Sequence, residues 1–371
     1  MLEDAGFNYI RLGNEASCDP RFVPRLLEIV LGQNPKLNLV RQQLLDIPII
    51  VSTTSTLLAR PHILELKHFS LCIVDEASQI LEPNIIGLLV SNQIERFILI
   101  GDHKQLPAVV QQPDDEPRLH TCRLSLFERL LEQERKAGRT DFIGLLNRQG
   151  RMHPDIAAFP NEMFYTREQL QPVPCPHQTE LQLNYLQPSE DALDEALKQH
   201  RVLFLPVTMQ ASESKQQALL SDKANPEEAK LVADLLRRIE RQTTDHFDPD
   251  RTVGVIVPYR NQIAMIRHEI AQLGIPRLMD ISIDTVERYQ GSQRDVIIYS
   301  FTIRHPYQLD FLTANCFEES DEVHHSVSHT IDRKLNVAMT RARQQLLMTG
   351  SPAILSRNPL FAELIHRYQI K

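Results

Sequence analysis

The chain has 371 residues, 42% of them hydrophobic and 24% charged, values typical of a globular protein. They exclude a disordered tail, a collagen-like fibre and a low-complexity linker. Lys+Arg 40 against Asp+Glu 48 gives a net charge of −8, so bulk charge offers no argument for nucleic acid and leaves only a local basic channel for that role.

At roughly 150 residues per domain the length predicts two or three domains. In the first third, Tyr9–Leu12, Ile49–Val51, Leu71–Val74 and Phe97–Ile100 are short apolar runs bounded by polar residues or glycine, which reads as strands. Uninterrupted apolarity is what a strand covered on both faces requires, hence a parallel sheet. Helical patterns over Arg21–Leu31 and Pro83–Val90 lie between them, and a helix over about Leu124–Lys136 closes the series. The stretch Pro172–Pro188, rich in Pro, Gln and His, reads as a surface connection.

A second α/β series follows, with strands at Val202–Leu205, Val253–Val257, Ile281–Ile283, Val296–Phe301 and Gln345–Met348, and helices at Glu227–Arg241, Asn261–Leu273 and near Leu335. Ala229, Val232, Leu236 and Ile239 fall on one helical face, as do Ile263, Ile266, Ile270 and Leu273; both are core stripes. The reading is α/β, with a first domain over 1–141 and a second over 142–371. No run of 18 apolar residues occurs, and the chain opens on the acidic Met1-Leu2-Glu3-Asp4, so neither a membrane span nor a signal peptide is expected. The five cysteines, Cys18, Cys72, Cys122, Cys175 and Cys316, form no C-x-x-C pair, which favours a reducing, cytoplasmic setting over a zinc site or disulfide framework. His324, His325 and His329 lie in an acidic stretch read as a looped insertion without a metal.

Two strands end in chemistry. Asp75-Glu76 follows Leu71–Val74, placing two carboxylates at the carboxyl end of a parallel sheet, where ligands bind in such folds. An Asp there can hold Mg²⁺ through its water shell, and a Glu can orient an attacking water. The next strand runs into Gly101-Asp102-His103-Lys104-Gln105-Leu106-Pro107, which brings an acid and an amide to the same edge.

These residues carry a resemblance. Val74–Gln79 and Gly101–Pro107 resemble motifs II and III of the superfamily 1B helicases. Gln149-Gly150-Arg151-Met152-His153-Pro154 is similar to that family's Gln-Tyr-Arg-Met-His-Pro motif, and Val257–Gln262 to its T-P-Y-x-x-Q element. Asp284–Asp295 resembles motif V, and Leu335–Arg343 resembles motif VI. The six stand in the family's order over about residues 50 to 350, and the branch resembled is the RNA-surveillance and Okazaki-processing type.

The resemblance implies two RecA-like domains of the P-loop NTPase class, ATP between them and a single strand of DNA or RNA across them. It makes Asp75 the magnesium carboxylate, Glu76 the water-activating one, and Gln105 a γ-phosphate sensor in the first domain. Arg151 and Arg341 become arginine fingers, which stabilise transition-state charge. Asp102, Gly291 and Gln293 fall to the nucleotide. Nucleic-acid contacts fall to Ser52, Thr53 and Thr54, to Pro258, Tyr259 and Arg260, and to Thr285, since hydroxyls and N–H groups at strand ends suit phosphates; a ring such as Tyr259 also offers stacking. Read alone, Ser-Thr-Thr is equally a helix N-cap, and Arg341 beside Arg343 is a solvated face.

The sequence departs from the family in three places. None of its 12 glycines begins a G-x-x-x-x-G-K-[ST], the loop that cradles phosphates. The expectation is a chain that begins after motif Ia, with a first domain truncated at its N-terminus and an exposed sheet edge, whose missing part is a partner. Gly150 replaces the family's Tyr, and Gln293 stands where motif V usually carries Glu, making the ribose contact neutral. The leading reading is an ATP-dependent helicase segment, inactive alone. The alternative is a non-catalytic nucleic-acid-binding or regulatory remnant of such a helicase. A metabolic α/β enzyme needs a fingerprint such as G-x-G-x-x-G, which is absent.

Overall fold

A computed structural model of the chain describes residues 2–110, 123–208, 222–320 and 328–370. It divides into two compact units. Met1–His103 with Pro107–Ile143 forms the first, and Lys104–Leu106 with Gly144–Lys371 forms the second. Three residues of the Gly101–Pro107 segment thus belong to the later unit.

In the first unit β1 (Tyr9–Arg11) pairs in parallel with β2 (Ile49–Val51), and β3 (Cys72–Val74) with β4 (Phe97–Leu99). Ile10, Leu12, Leu27, Leu44, Ile47 and Ile63 make the core beside the first pair. Beside the second, Val74, Ala77 and Ile85 pack together. The other face of that pair is open: the register partners Ile73 and Ile98 are 58% and 47% exposed, although parallel strands require cover on both faces.

The helix expected over Arg21–Leu31 is two pieces, a 3₁₀ helix Pro20–Arg25 and an α-helix Leu27–Leu31. Pro24 is the reason: it has no N–H to continue an α-helical ladder. Pro83–Val90 likewise divides into a 3₁₀ turn Glu82–Asn84 and a short helix Ile86–Leu89. Leu126–Lys136 is one helix, capped by the Ser125 hydroxyl, which accepts from the Glu128 N–H at 3.1 Å.

In the second unit β5 (Arg148–Gln149) and β6 (Gln171–Pro172) make a short parallel pair. The main sheet takes β7 (Val202–Pro206), β8 (Val253–Val257), β9 (Ser282–Thr285), β10 (Arg294–Ser300) and β13 (Ala342–Gly350), all parallel, in the order β7-β13-β10-β8-β9. An antiparallel pair, β11 (Cys316–Ser320) with β12 (Ser328–Asp332), precedes β13.

Alternate residues of the sheet enter two different cores. Phe204, Ile256, Ile297 and Met348 face the helices Pro154–Met163, Arg333–Met339 and Pro359–Tyr368. Leu203, Val255, Ile298 and Leu347 face Pro226–Gln242 and Arg260–Leu273. That is why these strands read as unbroken apolar runs. The stripe Ala229, Val232, Leu236 and Ile239 is fully buried there.

Two expectations are corrected. The acidic stretch is flanked by the β11–β12 pair, with His329 opposite Glu319; His324 and His325 lie outside the described residues. Pro172–Pro188 is not wholly a surface connection, because it contains a one-turn helix, Pro176–Thr179, whose His177 and Gln178 are buried.

Candidate functional site

At the carboxyl end of β3 the backbone turns sharply. Glu76 has φ +52°, a strained conformation for a residue with a Cβ and one that clusters at functional sites. The Asp75 carboxylate accepts the Glu76 N–H at 2.9 Å, and Gln79 Nε2 donates to Glu76 Oε2 at 2.7 Å. Both carboxylates are exposed. The turn is locked to the next strand by Ala77 N–H donating to Ile100 O at 2.7 Å and by Asp102 N–H donating to Ser78 Oγ at 3.3 Å. Gly101 is required here, since a Cβ would lie 2.8 Å from the Ser78 nitrogen. Asp75, Glu76 and Asp102 therefore share one edge.

In the second unit Gln105, Arg151, Gln293 and Arg341 meet around Thr340. Arg341 Nη2 donates to Gln105 Oε1 at 3.1 Å and to Thr340 Oγ1 at 3.0 Å, while its Nε donates to Val337 O at 3.1 Å. Arg151 donates from Nη1 to Thr340 O at 3.2 Å and from Nε to Gln293 Oε1 at 3.0 Å. Arg341 is only 2% exposed, so the solvated-face reading is wrong for it. Gln105, read from its position as a first-domain residue, sits in the second unit. Gly291 precedes this cluster with φ +81°.

The backbone of Arg151 is held by side chains that sequence reasoning missed. Gln149 Oε1 accepts the N–H groups of Arg151 (2.9 Å) and Met152 (2.7 Å). Gln178 Nε2 donates to the carbonyls of Gln149 (3.0 Å) and Met152 (2.8 Å). His177 Nε2 lies 2.8 Å from Arg151 O, and its Nδ1 lies 3.3 Å from Arg343 Nη2. A guanidinium only donates, so Nδ1 accepts and Nε2 carries the proton given to Arg151 O. Arg343 is itself held by Asp295 at 2.5 Å.

The residues expected to touch nucleic acid separate into two groups. Pro258, Tyr259, Arg260 and Thr285 line one cavity of about 460 Å³, joined by Lys223, Asn261, Glu287 and Arg288. Three of these are exposed cations. Tyr259 is 7% exposed and stacks on Phe311 with centroids 4.9 Å apart, so Phe311 already takes one face of its ring; burial also raises its phenol pKa. Ser52, Thr53 and Thr54 belong to the first unit, where Thr53 caps the short helix Thr54–Leu58 by accepting the Thr56 N–H at 3.1 Å.

Topology sets these groups at opposite edges of the main sheet. Gln293 and Arg341 directly precede β10 and β13, whereas Pro258 and Thr285 stand at the carboxyl ends of β8 and β9. The seven residues of β10, at about 3.3 Å each, separate the edges by roughly 20 Å.

A family model described as an AAA domain, AAA_12, matches residues 122–353, and a second AAA domain model, AAA_11, matches residues 32–113. The chain belongs to the superfamily 1 helicases. It is 30% identical over 295 residues to the DNA polymerase alpha-associated DNA helicase A of Saccharomyces cerevisiae, covering 78% of this chain and 39% of that one. It is 30% identical over 375 residues to the DNA replication ATP-dependent helicase/nuclease DNA2 of Bos taurus, covering 96% and 32%. A crystal structure of Arterivirus nonstructural protein 10, a helicase, aligns with TM-score 0.39 at 14% identity over 94% of this chain and 49% of that one. This helicase-family chain spans less than half the length of the two curated relatives.

The α/β class with parallel sheets is the observed one. No helix among the described residues is long and apolar enough to cross a membrane. No three His, Cys, Asp or Glu side chains gather to hold a metal among the described residues.

Proposed function

We propose that the chain supplies the nucleotide-sensing and strand-gripping part of an ATP-dependent helicase, which translocates on and unwinds nucleic acid when the phosphate-binding loop is present in the same motor. The observation that carries the reading is the gathering of Gln105, Arg151 and Arg341 around Thr340 at one edge of a sheet whose other edge holds a cationic cavity. In this reading one sheet carries both the nucleotide edge and the strand edge.

In this reading Glu76 orients the attacking water, and Asp75 holds Mg²⁺ through water. Arg151 and Arg341 neutralise charge developing on the γ-phosphate, and Asp102, Gly291 and Gln293 border the nucleotide. Pro258, Arg260 and Thr285 hold strand phosphates, with Ser52, Thr53 and Thr54 as contacts from the first unit. The relatives' names favour DNA as the first strand to test.

The same reading makes the isolated chain a poor ATPase. A triphosphate carries about four negative charges, which a P-loop nest and its lysine neutralise in such motors. The exposed carboxylates Asp75 and Glu76 repel phosphate unless a metal is already in place. The open apolar face at Ile73 and Ile98 suits a further segment of the motor as its cover.

The experiment is a steady-state ATPase assay on the purified chain with saturating single-stranded DNA, then with RNA. Negligible turnover is expected. Stimulated turnover of roughly 10 per second, the median for enzymes, would overturn the need for an external phosphate loop.

A further inference from the structure

Lys104 stands in a segment with neither helix nor strand, yet it has no solvent exposure. Its ammonium donates to Glu168 Oε2 at 2.8 Å and to the Phe164 carbonyl at 2.9 Å, and it pairs with Glu319 at 2.6 Å. The Tyr165 ring lies 5.8 Å away on centroid. The Lys104 carbonyl accepts from Asn336 Nδ2 at 2.8 Å, and the same amide donates to the Tyr165 hydroxyl at 2.9 Å.

All of these partners belong to the second unit. Asn336 lies in the helix Arg333–Met339, and its carbonyl accepts from Thr340 Oγ1 at 2.8 Å. The residue that holds Lys104 therefore also holds the turn that delivers Arg341. A buried ion cluster contributes little that well-packed apolar residues could not. What its several directed bonds add is a fixed position.

We infer that Lys104 is a positioning residue that pins Gln105 to the second unit in register with Arg341, so that amide and guanidinium meet the nucleotide as one element. The inference rests on reading those two residues as nucleotide-facing. The pinning itself is independent of nucleotide, and so is its test.

The experiment follows second-unit melting of the whole chain by circular dichroism, without nucleotide. Q105A, R341A and the double variant define the coupling of the pair, expected as a non-additivity of roughly 2–4 °C in the midpoint. On the K104M background the same cycle is expected to become additive. A K104M chain that melts lower but keeps the non-additivity would make Lys104 merely structural and overturn the inference, as would a wild-type cycle that is already additive. Should K104M not fold, E319Q keeps Lys104 paired with Glu168 and is expected to weaken the coupling; an unchanged coupling overturns the inference. Nucleotide binding by Q105A reports separately on the sensing role, so the two can fail independently.

Discussion

Arg341 donates to the side-chain oxygen of Gln105 across 3.1 Å, although 236 positions separate the two in the chain. The contact gives the guanidinium a partner inside its own unit. In a complete motor, Arg341→Ala is expected to lower ATP turnover by on the order of 10³-fold or more, as the loss of an arginine finger does. If Glu76 has the proposed role, Glu76→Gln is expected to keep ATP binding and abolish turnover, because it removes the carboxylate and preserves shape. Rates within a few fold of wild type for both variants would sink these assignments.

His177 and Gln178 hold the backbone around Arg151 through the carbonyls of Gln149, Arg151 and Met152. His177→Ala and Gln178→Ala are expected to lower kcat on the order of 10²-fold, the effect of about 1 Å of misplacement in a reacting group, and to leave single-strand affinity unchanged. Kinetics on the complete motor beside a strand-binding titration on the chain check this. A loss of strand affinity as large as the loss of kcat would contradict it.

The cavity lined by Lys223, Arg260 and Arg288 predicts backbone recognition without base preference. Each phosphate contact on a single strand adds about −0.7 to the slope of log affinity against log salt. Removing the three cations together should therefore flatten that slope by about 2. Fluorescence anisotropy with labelled oligonucleotides at several salt concentrations measures it. Because Tyr259 stacks on Phe311, Tyr259→Ala is expected to lower the melting midpoint without altering preference among homopolymers.

Glu228 is fully buried and accepts from Ser300 Oγ (2.7 Å), Thr302 N–H (2.9 Å) and Thr349 Oγ1 (3.2 Å). Burial outweighs those bonds and pushes its pKa from an ordinary 4.5 up to about 7. The folded state then binds more protons than the unfolded state between these values. Its contribution is fully present below about pH 4.5 and lost as pH rises through 7, on the order of 3 kcal/mol in all. Glu228→Gln should remove most of that slope, leaving the smaller one from Asp332, which burial raises to about 6. Chemical denaturation between pH 5 and 8 tests the sign; equal slopes in both proteins would refute it.

Gly254 on β8 faces Tyr289, where an added Cβ would lie 2.0 Å from the hydroxyl oxygen. That hydroxyl donates to Ser282 O at 2.9 Å and fixes the turn that leads to Gly291. Gly254→Ala is expected to cost about 1–3 kcal/mol through overpacking, read by denaturant unfolding, with Tyr289→Phe in the same chain recovering part of the loss.

Much of the second unit was legible in the sequence because its strands are buried on both faces. Val253–Val257 is a strand over the same residues that the apolar run marks, and each side chain has a core to enter whichever face it takes. Helix periodicity was equally plain where one stripe meets one core, as in Ala229 to Ile239. Local chemistry that competes with periodicity was less legible. Pro24 splits an otherwise helical pattern, and the turn at Pro176–Thr179 is too short to show any period at all. Contacts between distant segments could not be read from spacing. Lys104 finds its carboxylates 64 positions on, at Glu168, and farther still, at Glu319, and only their meeting assigns Gln105 to the second unit. The same is true of the buried Arg341, and of Tyr259, one face of whose ring is taken up by Phe311. Motif order could nominate these residues, because chemistry constrains residue type; which of them touch is decided by packing, which brings together groups that the chain keeps hundreds of residues apart.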